Sequence, residues 1–161
     1  MTEASTTPVG LVGLIGALGA AGRRLFARRL AQEAWVAEAG LRAPAYGVLL
    51  TIERLGPVSQ KQISDQMGLD PSDLVGVIDI LEREAFLTRA RDQQDRRRYS
   101  LTLTPLGRKR LSRFSTIAAE VEEELLAPLD DDERQAFRAL VHRVLEHQRQ
   151  PDAPAAPGGH S

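Results

Sequence analysis

Residues 58–105 read VSQKQISDQM GLDPSDLVGV IDILEREAFL TRARDQQDRR RYSLTLTP, and the order of signals within them decides the fold. Ser59 can accept a hydrogen bond from the backbone N–H of Gln62, whose side chain can reach back to Ser59. That is a capping box, and it opens a helix. Ile63 and Met67 then face inward and Gly68 stops the helix. Two residues later Asp70 supplies an N-cap, with Pro71 in the first helical position and Asp73 in the first turn. The second helix carries Leu74, Val77, Ile78 and Leu81 at three- to four-residue spacing, a single apolar stripe. Two β-like runs follow, Phe86–Arg89 and Tyr99–Leu103, the latter alternating polar and apolar as a half-exposed strand does. Between them residues 90–98 (ARDQQDRRR) form a polar, basic hairpin tip.

Capped helix, short glycine turn, capped helix and basic-tipped hairpin, in that order, predict a winged helix-turn-helix. Such a motif lays its second helix in the major groove of duplex DNA while its turns and flanks hold phosphates. A cationic hairpin can enter the neighbouring minor groove, where negative potential attracts arginine. Working outward, a helix is expected from Pro44 to Leu55, stopped by Gly56-Pro57, and before it a helical pattern from Pro8 to about Glu38. Gly10, Gly13, Gly16, Gly19 and Gly22 recur there at every third position. Each costs a helix about 1 kcal/mol relative to alanine, so the stretch is either a groove for close helix approach or a partly non-helical segment. Downstream, Thr104-Pro105 caps a long helix in which Leu111, Phe114, Ala118, Val121 and Leu125 form a heptad-like seam suited to helix pairing. A last helix starts in the acidic run at 130–133, its apolar face formed by Phe137, Leu140, Val141, Val144 and Leu145. The expected fold is therefore mainly α: a winged helix-turn-helix with a small two- to three-stranded antiparallel wing, flanked by N- and C-terminal dimerisation helices. The expected division is a disordered tail at 1–8, an N-terminal dimerisation helix at 9–43 and a DNA-binding core at 44–108. C-terminal dimerisation helices at 109–150 and a disordered tail at 151–161 complete it.

Composition narrows the function. The chain has 161 residues, 42% hydrophobic and 27% charged, enough to bury a core. It holds no cysteine, which excludes disulfides and thiolate metal sites. Net charge is only −1, but from Phe86 to Phe114 nine bases face two acids, a local net of +7, and an acidic stretch follows. That asymmetry is the footprint of a polyanion partner. Val9–Gly22 is uncharged for 14 residues, short of the roughly 20 a bilayer needs. Its flanking charges have the wrong order for a secretion signal, so a cytoplasmic protein with no membrane partner is expected. No nucleophile–base–acid set, phosphate loop or metal cluster appears, so neither an enzyme, a cofactor nor a metal is expected. His142 and His147 are five residues apart, off the spacing of a helical ligand pair.

The stretch from Leu55 to Arg108 resembles the core of a MarR-type transcriptional regulator. The resemblance rests on Val58-Ser59-Gln60-Lys61-Gln62-Ile63, Gly68-Leu69-Asp70, Leu81-Glu82-Arg83, Phe86-Leu87-Thr88-Arg89, Asp95-Arg96-Arg97 and Leu103-Thr104-Pro105-Leu106-Gly107. It implies a homodimer built from the first and last helices, sitting on a pseudo-palindromic operator in double-stranded DNA. It also implies repression relieved by a small-molecule effector. Residues 70–84 would then enter the major groove and the wing near 91–98 the minor groove.

Within that frame Arg97 is the foremost wing contact, fixed by a charge-assisted bond to Asp95, with Arg89 as a further wing support. Arg96 and Arg98 point to the side of the hairpin opposite Arg97 and suit phosphates. Gln60 and Lys61 suit phosphates at a helix start. In the recognition helix the outward positions are Ser72, Asp73, Val75, Gly76, Asp79 and Ile80, and no Lys or Arg precedes Arg83. The family often places Thr and Arg where Val75 and Gly76 stand, so bidentate guanine readout is absent from the helix start. Val75 suits a thymine methyl, Ser72 a base or phosphate, Asp73 a cytosine amine or the helix cap. Such a bare surface leaves an alternative open: a winged-helix protein-interaction or ligand-sequestering module with weak or lost DNA binding. Ala85 stands where the family carries glycine, which argues against a left-handed residue there. Phe26, Trp35 and Tyr46 either line an effector pocket or belong to the core.

Overall fold

The computed structural model describes residues 10–91 and 99–149, which fall into two units, Met1–Leu125 and Leu126–Ser161. The first unit opens with α1 (Leu11–Leu30), whose N-cap is Gly10. The stretch from Gly13 to Gly22 is thus helical throughout. The helix does not run on to Glu38 as its apolar pattern suggests. It stops at Leu30, and after a turn α2 (Ala34–Ala39) begins. The N–H groups of Gln32 and Glu33 bond to carbonyls only three residues back, those of Arg29 and Leu30, and this tighter winding ends the α-ladder. The Glu33 carboxylate then accepts from Trp35 Nε1 at 2.8 Å. The break lets Leu30 and Val36 both reach the core, each 4% exposed. Gly40, at φ 66°, closes α2 in the left-handed region.

The winged motif follows in the expected order: α3 (Pro44–Leu55), α4 (Gln60–Met67), α5 (Pro71–Arg83), β1 (Leu87–Arg91), β2 (Tyr99–Leu103) and α6 (Pro105–Leu125). β1 and β2 are antiparallel, paired from Leu87 opposite Leu103 to Arg91 opposite Tyr99. Val58 exchanges both backbone hydrogen bonds with Leu101, at 3.2 and 2.9 Å, so the segment before α4 adds a one-residue third rung. Val48, Leu49 and Ile52 of α3 meet Ile63, Leu74, Ile78, Leu81, Leu101, Phe114 and Ile117 in a single buried cluster. Full burial of one such side chain is worth about 1.5–3 kcal/mol, so this cluster fixes the angle between α5 and the hairpin.

The α6 seam differs from expectation in two members. Leu111, Phe114, Ile117 and Val121 are buried, whereas Ala118 and Leu125 are half-buried. This face packs within its own chain, against α1 and α3. Arg29 of α1 reaches Glu124 at 3.0 Å and Glu120 at 3.4 Å, and Arg28 also bonds Glu124. Glu124 is therefore an anchor of α1, and the two arginines hold its carboxyl below the ordinary value.

In the second unit α7 (Asp131–Arg149) is opened by a capping box. The Asp130 carboxylate accepts from Glu133 N–H at 2.9 Å, and Glu133 accepts from Asp130 N–H at 3.0 Å. Leu140, Val141, Val144 and Leu145 on this helix are exposed.

Candidate nucleic-acid interface

Two local devices set the pitch of α4 and α5. Ser59 accepts from Gln62 N–H at 3.3 Å and its own N–H donates to Gln62 Oε1 at 2.9 Å, completing the capping box. Gly68, at φ 62°, ends α4 in the left-handed region. Asp70 then accepts from the Ser72 N–H at 2.8 Å. Hydrogen bonds from the Ser72 hydroxyl and backbone hold the Asp70 carboxyl below its ordinary value. The stripe of α5 is as the spacing requires: Leu74, Ile78 and Leu81 are buried, and Val77 is half-buried. On the opposite face Ser72, Asp73, Val75, Gly76 and Asp79 are exposed. A Cβ built on Gly76 would meet nothing within 4 Å. Ile80, placed outward by the sequence, instead packs against the core. Its position one turn before Glu84 puts it at the edge of the apolar stripe, and the exposed face is narrower and more polar than the sequence suggests.

The exit from α5 carries a second difference. Ala85 adopts φ 57°, the only positive-φ non-glycine residue among those described, so the left-handed turn forms without glycine. Ala85 N–H bonds to Glu82 O at 2.9 Å and Phe86 N–H to Leu81 O at 2.8 Å, the pair of bonds of a Schellman motif. Thr104, the N-cap of α6, donates its hydroxyl to Ala85 O at 2.7 Å and accepts from Gly107 N–H at 2.9 Å. The turn is thereby locked between two helices. α6 passes so close beneath it that a Cβ on Gly107 would lie 1.8 Å from Phe86 O.

The basic cluster is dispersed by the helix it rides on. Arg113 bonds Glu33, through Nε at 3.0 Å and also through Nη2. The Arg110 guanidinium lies 4.5 Å from the centroid of Trp35 and 5.8 Å from that of Phe86. Arg108 reaches Glu53 at 3.4 Å. These three are occupied by neighbouring elements of their own chain, because a turn of helix carries 110 and 113 round to the face that meets α2. Arg91 and Lys109 are exposed. Arg113, and to a lesser degree Trp35, hold the Glu33 carboxyl below its ordinary value.

Gln60 is half-buried and Lys61 exposed, its Nζ 2.8 Å from Asp65. Arg89, expected to support the wing, reaches the recognition helix. Its Nη2 donates to Asp79 Oδ1 at 2.9 Å and lies 3.2 Å from Glu82 Oε2. Sequence reasoning did not couple these three, although two acids three apart on a helix, followed by a strand arginine, are a signal that could have been read. Asp95, Arg96, Arg97 and Arg98 lie outside the described residues. Phe26, Trp35 and Tyr46 are partly buried and adjoin the core. Phe26 and Tyr46 are 5.5 Å apart by centroid, and Tyr46 and Trp35 lie 5.8 and 5.1 Å from Phe114.

Comparison with known proteins agrees with this architecture. A family model described as MarR family matches residues 41–99. A protein of Thauera aromatica named for transcriptional regulation of the hcr operon is 31% identical over 124 residues, covering 77% of this chain and 72% of that one. The chain belongs to the MarR family. MarR proteins are transcriptional regulators, not enzymes. Among solved structures, wild-type MarR of Escherichia coli in its apo form shares the fold at TM-score 0.74 and 19% identity, over 87% of this chain and 99% of that one. The MarR family protein Rv2887 of Mycobacterium tuberculosis, crystallised in complex with DNA, matches at TM-score 0.69 and 19% identity, over 84% and 98%. Among the described residues no helix is long and apolar enough to cross a membrane, and no cluster of three metal-ligating side chains occurs.

Proposed function

We propose that this chain is a homodimeric, sequence-specific DNA-binding regulator, a ligand-responsive repressor, that reads a pseudo-palindromic operator. The observation that carries the reading is the exposed face of α5, Ser72 to Asp79, held beside an antiparallel hairpin by a buried core. Residues 70–84 enter the major groove, where Ser72 and Asp73 meet polar edges, Val75 meets a thymine methyl and Gly76 admits close approach. Arg97, positioned by Asp95, enters the minor groove, and Arg96 and Arg98 hold phosphates with Lys61 and Gln60. With no arginine before Arg83 in α5, specificity leans on the wing and on the shape of the duplex.

Dimerisation is supported by apolar surface at both ends of the chain. Leu11, Val12, Leu14 and Ile15 of α1 are 54–86% exposed, and α7 exposes four large aliphatics. Contiguous apolar surface of this kind marks association sites. A twofold pair sets its recognition helices about 34–36 Å apart, one turn of DNA. An effector that relieves repression acts at the rings of Phe26, Trp35 and Tyr46. The experiment is selection of bound sequences from a random duplex pool. An inverted repeat with half-sites one turn apart is the expected result. A featureless pool, with binding insensitive to salt, would support a protein-interaction module instead.

A further inference from the structure

We infer that Arg89 is a positioning residue for DNA recognition: it offsets the two carboxylates, Asp79 and Glu82, that the recognition helix would otherwise present to the duplex. This rests on the DNA-binding reading given above. α5 is an unusual element to offer a polyanion. Between Pro71 and Arg83 it holds Asp73, Asp79 and Glu82 against one base, Arg83. Arg83 is committed elsewhere: its Nη2 donates to the backbone carbonyl of Ala39 at 2.9 Å, and its Nε to Glu84 at 3.0 Å. The helix therefore brings carboxylates toward phosphates with no free cation of its own.

The counter-charge comes from the hairpin. Asp79 and Glu82 are three apart and share one face of α5. The Arg89 Nη2 atom lies between them, 2.9 Å from Asp79 Oδ1 and 3.2 Å from Glu82 Oε2. The arginine side chain is only 22% exposed, while the carboxylates are 59% and 42% exposed. Its guanidinium carbon is also 6.0 Å from the Tyr99 ring centroid, on the opposite strand. The cation is thus held from three sides and contributes little free charge of its own, while the acids it serves face outward. Like charges set against each other across an interface suppress binding, and a fixed cation removes that penalty. The same contact ties β1, the strand that leads out to the wing, to the helix meant for the neighbouring groove.

The test uses the full chain and the duplex recovered by the selection described above, titrated at several salt concentrations, with melting temperature recorded for each variant. Arg89→Met is expected to weaken binding at least tenfold. Adding Asp79→Asn and Glu82→Gln to it is expected to restore affinity to within threefold of the parent, since the charges needing an offset are gone. The double variant Asp79→Asn, Glu82→Gln alone keeps Arg89, so it remains informative if Arg89→Met folds poorly. It is expected to bind at least threefold tighter than the parent, which a merely structural ion pair would not produce. Parental affinity in Arg89→Met, or no gain in the double variant, overturns this role while leaving DNA binding intact. A parent chain that binds no duplex overturns the DNA reading and this role together.

Discussion

Ala85→Gly should stabilise the protein, and the structure sets the size of the effect. Ala85 sits at φ 57°, where a Cβ crowds the following carbonyl at a cost of about 1–2 kcal/mol. Glycine removes that cost but adds unfolded-state freedom worth roughly 0.5–1 kcal/mol. Nothing else changes. The Ala85 methyl is exposed, so no burial is lost. Every hydrogen bond at the turn uses backbone atoms of residue 85 or its neighbours, including the 2.7 Å bond from the Thr104 hydroxyl to Ala85 O. The balance is a gain centred on about 0.75 kcal/mol, within a span of about 0–1.5 kcal/mol. For a chain of this length that corresponds to a rise of roughly 1–4 °C in melting temperature. Urea unfolding at one fixed protomer concentration, with the slope checked for constancy, measures it directly. The companion Ala85→Val should lose at least about 1 kcal/mol, because a β-branched side chain tolerates this region least. If Ala85→Gly were less stable than the parent, the turn would not be left-handed in solution, and the angle between α5 and the hairpin would need another origin.

Gly107→Ala should cost at least about 3 kcal/mol or prevent folding, since its Cβ would fall 1.8 Å from Phe86 O, a backbone atom that cannot swing aside; expression and thermal melting report it. Glu33 has its carboxyl lowered below the ordinary 4.5 by Arg113 and then Trp35. A lowered folded-state value means stability that is fully present above 4.5 and is lost as pH falls through the lowered value. Glu33→Gln should therefore flatten the acid limb of the stability profile below about pH 4.5, and an unchanged limb would dismiss the Glu33–Arg113 contact as a contributor. Arg97→Ala should weaken operator binding at least tenfold with melting temperature and dimerisation unchanged, and unaltered binding would remove the wing from the mechanism. Lys61→Ala should weaken binding evenly across sequences and lower the salt slope by about 1, a result that gel shifts at graded salt would decide.

The local devices were legible because they need only near neighbours. Ser59 with Gln62, Asp70 with Ser72, Gly68 as a stop and the Leu74–Ile78–Leu81 stripe all form within a few residues, and each appears in the sequence as a spacing. The break after Leu30 was not legible: its apolar pattern runs on in register, and the turn at 31–33 answers to contacts with Trp35 and Arg113, the latter 80 residues away. Ile80, read as outward, and Ala118, read as a seam residue in place of Ile117, differ for a related reason. A residue at the margin of an amphipathic stripe is assigned to core or surface by the width of what packs against it, which periodicity does not encode.

What the sequence determined by itself is the order and type of the elements from α3 onward, since propensity, capping and periodicity are short-range, and from that order came the winged motif and its family. Tertiary structure alone decided where charge went. Arginines of one basic stretch, Arg108, Arg110, Arg113 and Arg89, were sent to Glu53, to the Trp35 ring, to Glu33 and to the Asp79–Glu82 pair. The physical reason is range. A salt bridge or a left-handed alanine is fixed by whatever segment the chain brings alongside, and a partner 55 to 80 residues distant, as for Arg108 and Arg113, leaves no mark in the local pattern.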